Sequence, residues 1–95
     1  MQAKLIWDET KRSLNLVKHG LDFADAPQVL GSRYRLDVAT VRGGEARVQS
    51  ISYALGFLAV LTVVHTPRGT ATRIISFRRA SSKEREVYDA WLQDE

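Results

Sequence analysis

The sequence predicts an α+β fold in one domain spanning residues 1–95: a curved antiparallel sheet of about four strands, with helices before it and one after it. Three observations lead there. Helical spacing and capping residues cluster before residue 33. Runs rich in Val, Ile, Thr and Tyr fill residues 34–77. A second capping pattern opens at Ser81.

The elements follow in chain order. KLIW, residues 4–7, suits a short first strand. Asp8 can cap a helix running to about Val17, with Glu9 favourable in its first turn. Leu14, Val17 and Leu21 approximate an apolar helical face, extended weakly by Leu16. Lys18 and His19 fall in the last turn, where cations suit the helix dipole, and Gly20 is placed to end it. A short second helix is expected over about 23–30, capped by Asp22 or Asp25, with Pro27 tolerable only near its start. YRLDVATV, ARVQSISYA, GFLAVLTVVHT and TATRIISF then read as strands, with RGGE at 42–45 and TPRG at 66–69 as turns. Ser81 and Glu84 form a capping box for the last helix, whose stripe is Val87, Tyr88, Trp91 and Leu92. The helices are expected mainly on one side of the sheet, leaving a face free to carry arginines.

Charge is uneven along the chain. Residues 33–83 hold nine Arg or Lys against two acids, a net +7, whereas the rest holds five bases against nine acids, a net −4. A strand region that presents such arginines together suits nucleic acid or another polyanion. Arginines decorating the outer face of a sheet would read the same way. Cysteine is absent, which excludes disulfides and thiolate chemistry. No apolar run approaches the roughly 18 residues of a membrane span. The N-terminus lacks a signal-peptide core, so a cytoplasmic, non-membrane protein is expected.

Two histidines without cysteine give no zinc spacing, and no phosphate-cradling glycine loop is present, so neither a metal nor a cofactor is expected. What remains is His19, Lys18, several arginines, Glu84 and Tyr88. That set suits RNA cleavage by the 2′-hydroxyl. The reaction needs a proton acceptor, a proton donor and cations for the phosphorane. Each residue also has a structural explanation. His19 serves the helix dipole, Glu84 the capping box, and Tyr88 the helix stripe, while His65 is read as a surface residue at a strand end. Arg78 and Arg79 point to opposite faces if extended. Strict alternation also separates Arg73 from Arg78, so a bulge or a strand end near Arg78 has to reunite them.

WDETKRSLNLVKHGLDF at 7–23, GEAR at 44–47 and RIISFRRASSKEREVY at 73–88 resemble, in order and spacing, the signatures of BrnT-family toxins. The resemblance implies a RelE-like fold and a ribonuclease that depresses translation within a type II toxin–antitoxin module. It also implies a BrnA-like ribbon-helix-helix antitoxin as partner, which binds operator DNA. Carried over residue by residue, it points to His19, Arg73, Arg78, Glu84 and Tyr88 as catalytic positions. Lys18 joins them, and with Arg47, Arg79 and Lys83 is assigned to RNA binding. Phe77 stands where a small residue is often found, and the arm at 33–41 matches weakly.

Two function classes therefore remain. One is a metal-independent endoribonuclease toxin. The other is a non-catalytic module that binds nucleic acid or antitoxin in transcriptional autoregulation, with a decayed toxin kept as a regulator as a lesser variant.

Overall fold

The computed structural model describes residues 4–94, so both ends of the expected 1–95 unit lie outside the described residues. Five strands form one mixed sheet, not four in an antiparallel one. They are β1 (Lys4–Ile6), β2 (Leu36–Arg42), β3 (Glu45–Ala54), β4 (Ala59–Arg68) and β5 (Ala71–Arg79), in the spatial order β1-β5-β4-β3-β2. The last four are an antiparallel meander, as expected. The three-residue β1 adds itself parallel to β5, pairing Ile6 with Arg73. The direction of so short an edge strand depends on a partner some 70 residues away, which no local pattern announces.

Helix α1 (Glu9–His19) starts where Asp8 Oδ1 accepts the amide N–H groups of Thr10 and Lys11. It ends at Gly20, whose φ of 72° is a left-handed conformation and whose N–H donates to Leu16 O. The expected second helix is split in two. Asp22 caps a single 3-10 turn over Phe23–Asp25, and α2 (Pro27–Leu30) begins afresh with Pro27 in its first turn. Proline has no N–H to donate and its ring collides with the carbonyl four residues back, so one helix cannot run through it.

The β2–β3 hairpin closes on Gly43 and Gly44, both at positive φ, as a two-residue primed turn requires. TPRG is not a turn: β4 runs on through Arg68, and the chain reverses at Gly69 and Thr70. Pro67 is tolerated because the β3–β4 pairing ends at His65, leaving no ladder hydrogen bond for it to break on that side.

The main core lies on one face of the sheet. There Phe23, Ala26 and Val29 pack against Leu61, Val63, Ile74 and Phe77. Helix α3 (Ser82–Gln93) lies on the opposite face, so the helices are not gathered on one side. Tyr88 fastens it there: its hydroxyl donates to Tyr34 O and accepts from Tyr53 N.

Candidate active site

Strand β5 contains the irregularity that the arginine spacing demanded. Val64 of β4 pairs with Ser76 and His65 pairs with Ile74, so Ile75 is an extra residue in β5. This bulge resets the alternation. Arg73 now opposes Thr66 and Arg78 opposes Thr62. Thr62 and Thr66 are four residues apart on a regular strand and so share a face, which puts both arginines on the face that carries α3. Arg47 and Arg68 lie on it too, bridged by Glu45, whose carboxylate accepts from both. These hydrogen bonds hold the Glu45 carboxyl below its usual range, Arg47 contributing most.

Two helices wall this face. Along the outer edge of β5, beyond the reach of β1, α1 is attached by Asn15. Its side-chain amide donates to Phe77 O and to Leu21 O, and its carbonyl accepts from Phe77 N. Asn15 is the buried residue of α1, at 8% exposure, while Leu14 and Val17, read as its inner face, are 63% and 87% exposed. The helix starts at Asp8, beside Arg73, since Asp8 and Arg73 line one hollow with Ile6, Trp7 and Arg68. It ends at His19, within electrostatic reach of Arg78. The pKa of His19 is lowered from its ordinary value, first by burial and then by Lys18 and Arg78. The imidazole is therefore mostly neutral at pH 7, as a proton acceptor has to be.

The other wall begins at Ser81, whose Oγ accepts from Glu84 N while Glu84 Oε1 accepts from Ser81 N. The same carboxylate takes a bidentate pair from Arg78, at 2.7 and 2.8 Å, and a hydrogen bond from Thr62 Oγ1. Arg78 above all, then the Ser81 amide and Thr62, hold Glu84 down at about 2. A carboxylate so stabilised is a poor base near neutrality. It fixes the guanidinium of Arg78, whose own pKa is raised by the pairing.

The chain matches, over residues 7–84, the sequence profile of a family described as "Ribonuclease toxin, BrnT, of type II toxin-antitoxin system". It belongs to the BrnT family. The matched span includes Lys18, His19, Arg73, Arg78 and Glu84 and stops short of Tyr88. A comparison with curated proteins found no match. As a BrnT protein the chain is a ribonuclease toxin of a toxin–antitoxin system, and an antitoxin partner follows from that membership. No described helix is long and apolar enough to cross a membrane.

The remaining site candidates of this BrnT chain divide. Lys18 is exposed beside His19, and Lys83 is exposed on the first turn of α3. Arg79 pairs with Leu61, a core-face residue, so it lies away from Arg73 and Arg78. Tyr88 is 1% exposed and its hydroxyl is committed to two backbone groups. Among the described residues no three His, Cys, Asp or Glu side chains gather as a metal-ligand set.

Sequence reading missed Asn15, although a signal was present. Asparagine disfavours helix interiors, and here one sits between two leucines. It also misplaced His65, which is half-buried on the core face. Ser50 Oγ donates to Asp37 and is 2.7 Å from His65 Nε2. Burial chiefly lowers the pKa of His65. This is no nucleophile triad, because the buried hydroxyl gives its proton to the carboxylate, so the imidazole cannot take it.

Proposed function

We propose that this toxin cuts RNA through the RNA's own 2′-hydroxyl, without a metal, in the groove between α1 and α3. Neutral His19 accepts the 2′-hydroxyl proton. The 2′-oxygen attacks the adjacent phosphorus, and the 5′-oxygen leaves with a proton from Lys18 or solvent. Arg78, held rigid by Glu84, stabilises the charge that develops on the phosphorane, a contribution of about 3 kcal/mol for a fixed donor of this kind. Glu84 and Tyr88 act by positioning, the first on Arg78 and the second on α3. Arg73, Arg47 and Lys83 hold flanking phosphates, with Arg79 contributing only where the strand wraps around the sheet edge.

The observation that supports this reading is the bulge at Ile75, which sets Arg73 and Arg78 on one sheet face, Arg78 within electrostatic reach of His19 and Arg73 beside Asp8 at the other end of α1. The same reading includes a RelE-like ancestry, depressed translation, and a BrnA-like ribbon-helix-helix antitoxin that carries the complex to operator DNA. The test is cleavage of RNA in EDTA. We expect cutting by the free toxin, and a loss of at least a hundredfold in His19→Ala and Arg78→Ala proteins that keep native circular dichroism. Undiminished cutting in both variants would remove the site assignment.

One observation favours a non-catalytic binding module instead: Glu84 and Tyr88 are both saturated by structural hydrogen bonds. RNA binding without any cleavage, at high protein concentration, is the result that reading requires.

A further inference from the structure

The hollow at the far end of the groove has no role in the chemistry above. Its volume is 280 Å³ and its lining residues are Ile6, Trp7, Asp8, Arg68 and Arg73. We propose that it is a base-binding subsite, taking a nucleobase with an exocyclic amino group one or two nucleotides from the cleaved phosphate. The inference rests on the ribonuclease reading and extends it to specificity.

Geometry sets the spacing. Arg73 and Arg78 are aligned with Thr66 and Thr62, four strand residues apart, hence about 13 Å. The eleven residues of α1 span about 16 Å, so its two ends flank the same interval. Two arginines that far apart hold different phosphates of one strand more readily than a single phosphate. RNA lying along β5 with its scissile phosphate at Arg78 and His19 therefore brings a neighbouring nucleotide to Arg73. The hollow opens there.

Its lining fits a base better than a phosphate or a peptide. Ile6 and Trp7 are among its lining residues, and aromatic surfaces stack any base. Trp7 is braced rather than loose: its ring meets Phe23 edge-on, Arg12 lies over it, and its indole N–H donates to Glu9 at 2.9 Å. Arg73 has no ion-pair or hydrogen-bond partner among the described residues, so its guanidinium is available to the backbone of the bound strand. Asp8 supplies the discrimination. Its Oδ1 caps α1, while among the described residues nothing donates to Oδ2. A carboxylate oxygen accepts from the exocyclic amino groups of guanine, adenine or cytosine, whereas uracil has no amino group and offers only its ring N3–H. An acidic peptide would instead bring its carboxylates against Asp8.

The decisive measurement is an NMR titration of the full chain with uncleavable 2′-O-methyl hexanucleotides, identical uracil strands except for one central base. The Trp7 indole N–H and the Arg78 Nε–H are followed together. We expect the Trp7 signal to move, at about tenfold lower RNA concentration when the central base is A, C or G than when it is U. Asp8→Asn keeps a good helix cap and replaces an acceptor by an amide, so it should erase that preference. Movement of Arg78 with Trp7 still would leave the groove and remove the subsite. Equal response to all four bases, or an unchanged preference in Asp8→Asn, would remove the readout by Asp8. Silence of both signals would overturn the groove itself. A polyglutamate peptide that moves Trp7 where RNA does not would give the hollow to a protein partner.

Discussion

Helices α1 and α3 both bring a side chain toward Arg78, yet they join the sheet by opposite means. Helix α3 lies on a sheet face and buries an aromatic ring, Tyr88, with a polar tip for each of two backbone groups. Helix α1 lies along a strand edge, where β5 has run past β1 and presents unpaired N–H and C=O groups. An edge of that kind has to be satisfied by hydrogen bonds, since an orphaned backbone group costs about as much as a lost bond. Asn15, with a donor and an acceptor on one side chain, does this for Phe77. The leucines and valine of α1 are left outward as a consequence. A face wants apolar surface; an edge wants an amide.

That contrast can be broken most sharply at Asn15. Asn15→Leu keeps the branched shape and strips both hydrogen bonds from Phe77, so stability should fall by about 3 kcal/mol. For a chain of this size, melting should drop by roughly 12 °C or more. The His19 pKa, followed by NMR, should climb back toward its ordinary value as α1 leaves β5. An Asn15→Leu protein as stable as the parent would mean that α1 is held by its apolar residues after all.

A smaller effect is expected on the α3 side. Glu84 titrates at about 2 in the folded protein against 4.5 ordinarily. A lowered carboxylate stabilises the folded state above pH 4.5, and that stabilisation is lost as pH falls through 2. With its side chain 15% exposed, the contribution should be roughly 2 kcal/mol after screening. Glu84→Gln should therefore be less stable to urea at pH 7 and show a flatter acid transition. Identical urea midpoints at pH 7 and identical acid profiles would refute the tie between Arg78 and α3.

The smallest effect belongs to the outward face of α1. Val17→Lys should change stability by no more than about 0.5 kcal/mol, because this side chain is 87% exposed. A loss above 1 kcal/mol in a thermal melt would show that Val17 is buried in solution.

Several features were legible because they act over a few residues. Asp8, Gly20, Ser81 with Glu84, and the paired glycines at 43–44 each satisfy or redirect backbone groups close by, and each does so as expected. From the clash between two arginines and a period of two it was legible that either a bulge or the strand end near Arg78 was needed, and the structure uses a bulge. Its position was not legible, for it depends on which residues of β4 are opposed. The inward side of α1 was misread because periodicity assumes an apolar environment. Arg79 and Tyr88 look like their neighbours in the chain, and only pairing and packing separate them from Arg78 and Glu84.

By itself, then, the sequence determined the caps of α1 and α3, the Gly43–Gly44 turn and the β-rich middle, since those are governed by hydrogen bonds closed within one or two turns of chain. Tertiary structure alone decided that β1 runs parallel to β5, that Ile75 is the extra residue, and that α1 turns its asparagine inward. Each of those depends on which strands pair, in what register and which edge they leave open, and none of that exists until the strands have chosen their partners.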